Sequence, residues 1–165
     1  MDLSQIKMVV TDMDGTLLNS SHQASNRFFN LFRELQKRDI HFVAASGRQY
    51  KSILDKLDPI KDNITVIAEN GGFAIQNNTQ LVFTPLPNQR KKEIINLLEG
   101  VNNIYPVLCG LDNAYIKGDS PIFEKKLKEF YSNYVLLDNL NDYPGEILKI
   151  AIYNFESSEK HIYPK

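Results

Sequence analysis

The chain has one cysteine, Cys109, among 165 residues. That excludes an internal disulfide framework and fits a reducing compartment. Neither sign of charge is in excess: 19 basic against 20 acidic side chains leave a formal net charge of −1. General affinity for nucleic acid or for an anionic membrane surface finds no support there. The opening stretch, MDLSQIKMVVTDMDG, has no apolar run long enough for a secretory signal, and no later stretch could span a bilayer. Internal repeats and low-complexity tracts are also missing. What is present is 42% hydrophobic and 24% charged, a globular composition with material for a core. The length admits one ordinary domain or two small ones, and a cytoplasmic protein is the expectation.

The first seventy residues alternate strand and helix signals. Ile6 to Thr11 is a short apolar run rich in β-branched residues, which predicts a buried strand. Between Ser25 and Arg38, Phe28, Leu31, Phe32 and Leu35 recur at i, i+3, i+4, i+7, one face of an amphipathic helix. Ile40 to Ala45 reads as a second strand, Gln49 to Leu57 as a helix stopped by Asp58-Pro59, and Ile64 to Ala68 as a third strand. This order implies parallel strands joined by right-handed crossovers. Phe73 to Gln76 and Gln80 to Phe83 then form an expected hairpin, because Asn77 and Asn78 tolerate the positive φ of a tight turn.

Pro85 and Pro87 mark a boundary between residues 1–84 and 85–165. Past it the expectation is a helix near Asn88 to Leu98, strands near Tyr105 to Cys109 and Ala114 to Lys117, and a helix near Pro121 to Tyr131. Strands near Tyr134 to Leu137 and Glu146 to Tyr153 close an α+β pattern.

The informative stretch is Met8 to Leu17, MVVTDMDGTL, where an apolar strand runs into two aspartates one residue apart. Open α/β sheets bind ligands at the carboxyl ends of their strands, and Asp12 occupies such an end. Asp14 lies beyond it and can reach the same pocket. Gly15 permits an unusual turn and close approach of a ligand. One acid can serve as nucleophile and metal ligand, the other as general acid and base. An Asp-Gly pair alone would equally suit a helix cap or an Asx turn.

DMDGTL, followed by AASGR and AENGG, resembles the haloacid dehalogenase (HAD) superfamily of phosphohydrolases, in its Cof-type branch with a type IIB cap inserted after the third strand. The resemblance implies an α/β fold, a Rossmann-like parallel core over 1–84 and part of an α+β cap over 85–165. It assigns nucleophilic attack on phosphorus to Asp12 and general acid-base catalysis to Asp14. Mg²⁺ would be held by the Asp12 carboxylate and the Asp14 main-chain carbonyl, since a hard cation must offset the charge of a dianionic phosphate. Met13, Gly15 and Thr16 belong to the loop whose amides would cradle phosphate oxygens. Ser46 and Gly47 would face the phosphate from a helix start, where Ser46 taken alone is equally an ordinary N-cap. Arg48 either reaches substrate or pairs with an acid, and Asn70-Gly71 would line the substrate pocket or simply turn the chain into the hairpin. The partner implied is a small phosphorylated metabolite.

The family pattern also requires, after the cap, a lysine and a G-D-x-x-N-D loop, and neither is found before Lys165. Leu137-Asp138-Asn139-Leu140-Asn141-Asp142 has the D-x-x-N-D spacing but Leu137 replaces the glycine, and Lys149 reads better as a cap residue than as the phosphate lysine. A truncated chain is therefore expected, possessing the first half of the core, with another cap element beginning near SSEKHIYPK. Its Asp12 strand would then expose an edge able to pair with another chain, including a second copy. A non-catalytic interaction module is the alternative to a phosphatase. A glycosyltransferase D-x-D reading fares worse, because only eleven residues precede Asp12.

Overall fold

The computed structural model describes residues 5–118, 120–128, 130–157, 160 and 162. The chain divides into two compact units, Met1–Phe83 and Thr84–Lys165. Most of the SSEKHIYPK segment lies outside the described residues.

In the first unit the strands are β1 (Met8–Asp12), β2 (His41–Ala45), β3 (Thr65–Ala68), β4 (Phe73–Gln76) and β5 (Thr79–Phe83), in that order across one sheet. β1, β2 and β3 are parallel, and the register Asp12↔Ala45 and Ala45↔Ile67 brings their carboxyl ends level. β4 and β5 return antiparallel. Their turn has Asn77 at φ 48° and Asn78 at φ 59°, the doubly left-handed geometry that matches strand twist in a two-residue hairpin.

Helix α1 (Asn26–Lys37) begins where Ser25 Oγ accepts the Phe28 amide hydrogen at 3.2 Å. It packs on β2 through Phe28 and Phe32, whose rings lie 5.2 and 5.8 Å from that of Phe42. Leu31, expected on the apolar face, is exposed instead: the Phe28–Phe32–Phe42 cluster fixes the helix's rotation and turns residue 31 outward. Helix α2 (Tyr50–Lys56) is followed by a 3₁₀ segment, Asp58–Asn63. Pro59 does not release the chain there, because proline is tolerated in the first turn, where its missing N–H costs nothing.

The second unit contains α3 (Asn88–Glu99), β6 (Tyr105–Cys109), β7 (Ala114–Lys117), α4 (Pro121–Leu127), β8 (Tyr134–Leu137) and β9 (Lys149–Tyr153). Its sheet runs β8-β7-β6-β9. Alternation on β6 serves two clusters on opposite faces. Val107 and Cys109 join Ala114, Ile116, Phe123 and Leu127 on the α4 side. Leu108 joins Ile95, Leu140 and Ile147 on the α3 side. Lys91 is buried, and its Nζ donates to the carbonyls of Tyr143 and Gly145, both at 2.9 Å. Burial pushes the pKa of this ammonium down. The Asp138–Asp142 stretch belongs to this unit: Asp138 and Asn139 follow β8, and Leu140–Asp142 forms a 3₁₀ turn in which Asn139 Oδ1 accepts the Asn141 amide.

Candidate active site

Asp12 ends β1, Ser46 follows the last residue of β2, and Glu69-Asn70 follow the last residue of β3. Three loops therefore open from the same end of a parallel sheet, the end at which such sheets bind ligands. The loops are tied to one another by backbone hydrogen bonds. Ser46 N donates to Ile67 O at 2.9 Å, Glu69 N to Arg48 O at 3.1 Å, and Asn70 N to Ser46 O at 3.3 Å.

Asp12 is exposed, and one of its carboxylate oxygens receives only a long contact, 3.4 Å from Thr16 Oγ1. After it the chain turns tightly. Gly15 lies at φ 74° with open space where a Cβ would stand, so backbone conformation and not crowding favours glycine. The amides of Thr16, Leu17 and Leu18 converge on the Met13 carbonyl at 3.4, 3.1 and 2.8 Å. The Thr16 contact is the longest of the three. Met13 is completely buried and anchors that turn in the core, so its side chain is not a ligand group.

Asp14 and Arg48 face each other. Nε donates to Oδ2 and Nη2 to Oδ1, both at 2.7 Å, in a bidentate pair. Arg48 is also positioned by Nη1 to Ser52 Oγ at 3.3 Å, one helical turn on. The Arg48 side chain is 9% exposed and the Asp14 side chain 44%. The guanidinium's hydrogen bonds hold the Asp14 carboxyl below its usual range, outweighing the opposing effect of partial burial. Of the two roles open to Arg48 from sequence, the structure displays pairing with an acid.

His22 completes this group and gives no signal in the sequence. It lies at φ 53° in a turn where Asn19 Oδ1 accepts the amides of Ser21 and Gln23. Its Nδ1 is 3.3 Å from Asp14 Oδ1 and 3.3 Å from Arg48 Nη2. A histidine in a polar run, NSSHQ, is indistinguishable from a solvated loop residue until the turn folds.

Ser46 is nearly buried, and its Oγ accepts the Arg48 amide at 3.2 Å. It thus acts as a turn-forming serine while its hydroxyl proton remains a donor. Gly47 lies against Asn70: a Cβ there would stand 2.5 Å from Asn70 Oδ1. Glu69, Asn70 and Gly71 are left-handed in succession, at φ 52°, 57° and 93°, an unusual run at the exit of β3.

Among the described residues no group of three or more His, Cys, Asp and Glu side chains gathers to hold a metal. The exposed Asp12 carboxylate offers hard oxygens, while the Asp14 carboxylate is engaged by Arg48.

Several known proteins are similar to this chain. A 5-amino-6-(5-phospho-D-ribitylamino)uracil phosphatase of Escherichia coli is 24% identical over 149 residues, covering 89% of this chain and 55% of that protein. A Bacillus subtilis phosphatase is 31% identical over 106 residues, 64% of this chain and 37% of its own length. The crystal structure of a Streptococcus mutans protein superposes with a TM-score of 0.87 at 29% identity, covering 95% of this chain and 60% of that one. A HAD subclass IIB sugar phosphatase shares the fold, with a TM-score of 0.75 at 18% identity, over 96% of this chain and 62% of its own. The chain thus spans about half the length of the curated relatives it matches. The model of the haloacid dehalogenase-like hydrolases matches residues 9–164, from the strand that carries Asp12 to the end of the second unit, and the chain belongs to that family.

Proposed function

We propose that this chain carries the nucleophile-bearing portion of a Cof-type, Mg²⁺-dependent phosphatase acting on a small phosphorylated metabolite. The observation that supports this is the exposed Asp12 carboxylate at the carboxyl end of a parallel strand, beside Ser46 and Asn70. Asp12 would attack phosphorus as the bond to the leaving oxygen breaks, and a proton from Asp14 would neutralise that oxygen. Ionised Asp14 would then take a proton from water attacking the aspartyl-phosphate, which returns the Asp12 carboxylate and frees inorganic phosphate. Asp12 and the Asp14 carbonyl would hold Mg²⁺, which when bound offsets negative charge at the transferring group. Ser46 would donate its hydroxyl proton to a phosphate oxygen, the Gly47 backbone would approach the same group, and Gly15 and Gly71 have open space where a Cβ would stand. Pairing with Arg48 suits the basic form of Asp14, so the acid step requires a proton to be acquired against that pairing. Sugar phosphates and phosphorylated cofactors are the substrate classes favoured by the family resemblance. A cytoplasmic location goes with this reading, and no helix among the described residues is long and apolar enough to cross a membrane.

The test uses the 165-residue chain and its Asp12→Asn variant. Hydrolysis of p-nitrophenyl phosphate that needs Mg²⁺ and disappears in the variant is the expected result, and equal hydrolysis by both refutes the role of Asp12. Fluorine NMR with Mg²⁺ and beryllofluoride, an aspartyl-phosphate mimic, reads the nucleophile without turnover. A chain that neither hydrolyses the ester nor binds the mimic is the non-catalytic interaction module, a reading favoured by the open edge of β1.

A further inference from the structure

The second unit contains a cavity of about 400 Å³, within the range of small-molecule sites, ~300–1,000 Å³. It opens at one end of the sheet, where β6 begins at Tyr105 and where β7 and β8 finish at Lys117 and Leu137. β7 and β8 are the parallel pair of this sheet, with Lys117 in register with Leu137. The carboxyl ends of parallel strands are where open α/β sheets receive ligands. The chain enters the unit at the other end, where the Leu86 amide donates to the Ile147 carbonyl at 2.8 Å ahead of β9. The described residues that line the cavity run from Ile95 to Leu140, all within this unit.

Floor and rim differ in chemistry. Ile95, Phe123 and Leu140 are buried at the floor, and Tyr105 stacks on Phe123 with ring centroids 4.7 Å apart. A flat apolar body entering here meets aliphatic and aromatic surface and adds a further ring to that pair. The rim carries three charged side chains, all exposed: Lys117 at the end of β7, Asp138 just after β8, and Glu99 at the end of α3. An ammonium has three N–H donors, so Lys117 can take an additional carboxylate whatever else it touches. Two carboxylates and one ammonium around an apolar floor select sharply among small ligands. An aromatic amine satisfies the acids but brings a second cation beside Lys117. An aromatic acid satisfies Lys117 but is repelled by two carboxylates. A ring whose side arm carries both an ammonium and a carboxylate satisfies both signs. Its charges then stay at the wet rim, where little desolvation is required.

We propose that this cavity binds a free α-amino acid with an aromatic side chain. The ring lies against Tyr105 and Phe123, the carboxylate on Lys117, and the ammonium on Glu99 and Asp138. None of these residues belongs to the loops around Asp12, so the inference stands whether or not Asp12 is a nucleophile.

The chain contains no tryptophan, so the emission of L-tryptophan reports its own binding. Titrating the 165-residue chain into L-tryptophan should raise the fluorescence anisotropy along a one-to-one saturation curve. Tryptamine and indole-3-propionate each lack one of the two charges and should bind about tenfold more weakly, the loss of a charge-assisted contact. Lys117→Gln should weaken L-tryptophan by a similar factor without weakening tryptamine. The Glu99→Gln, Asp138→Asn double variant should weaken L-tryptophan without weakening indole-3-propionate. All three positions are exposed, so both variants should keep the wild-type circular dichroism spectrum. In amide correlation spectra, the signals shifted by L-tryptophan should include those of Lys117 and Asp138. Absence of saturable binding, tryptamine bound as tightly as L-tryptophan, undiminished binding by Lys117→Gln, or amide shifts confined to the first unit each overturns the proposal.

Discussion

The Asp14–Arg48 pair predicts an asymmetry that reverses the intuition that the acid and the base matter equally. Arg48→Met keeps an apolar stem and removes the guanidinium, leaving behind a carboxylate that is 44% exposed and can be hydrated. The cost is that of a screened, partly exposed ion pair, about 1 kcal/mol. Asp14→Ala leaves behind a guanidinium whose side chain is 9% exposed, with Ser52 Oγ and His22 Nδ1 as residual contacts, each at 3.3 Å. A charge stranded with little access to water costs more, about 2 kcal/mol. Native-state hydrogen exchange at Ala44 and Val66, both buried in the parallel strands, reads the first unit separately from the second. At near-neutral pH the two variants should speed exchange there by roughly fivefold and thirtyfold. The pH dependence follows from the sign of the shift. Asp14 is depressed by Arg48 when folded, so the pair's stabilisation is complete above the ordinary carboxylate value of about 3.9 and is lost as pH falls through the folded-state value. The gap between wild type and Arg48→Met should therefore close in acid. A larger cost for Arg48→Met than for Asp14→Ala, or a gap that widens in acid, refutes this account.

Two further substitutions probe local geometry. Gly47→Ala should destabilise the first unit by about 1–2 kcal/mol, because the new methyl meets Asn70 Oδ1, and Asn70→Gly in the same chain should recover most of that loss in a double-mutant cycle. Lys91→Met should cost the second unit about 2–3 kcal/mol by stranding the carbonyls of Tyr143 and Gly145, measured by urea unfolding followed through tyrosine fluorescence.

Much of this architecture is legible from local chemistry. β6, β7 and β8 begin and end where the apolar, β-branched and aromatic runs do, and the Asn77-Asn78 turn follows from asparagine's tolerance of positive φ. Apolar patterning reports burial, however, and not pairing. Ile147 and Leu148 are buried yet precede β9, which starts at Lys149, where the register with Cys109 begins. Similarly α4 is bounded at Leu127 although its pattern continues, and beyond it the Phe130 and Tyr131 amides share the Leu127 carbonyl at 2.9 and 3.0 Å. In the site, Asp12, Ser46 and Asn70 are legible because each lies at the carboxyl end of a strand or within two residues of it. The pairing of Arg48 with Asp14, 34 positions away, and the approach of His22 depend on how loops fold over one another, which spacing in the sequence does not encode.

The Asn70-Gly71 step carries a chemical liability of its own. Glycine offers the least steric shielding to succinimide closure, in which its backbone nitrogen attacks the preceding side-chain amide and expels ammonia. Ring opening would leave aspartate or isoaspartate beside Gly47, placing a new anion at the carboxyl end of the parallel strands. Stored samples would then acidify at this one position, visible as a leading shoulder in isoelectric focusing, and chill storage or an Asn70→Gly replacement would delay the drift.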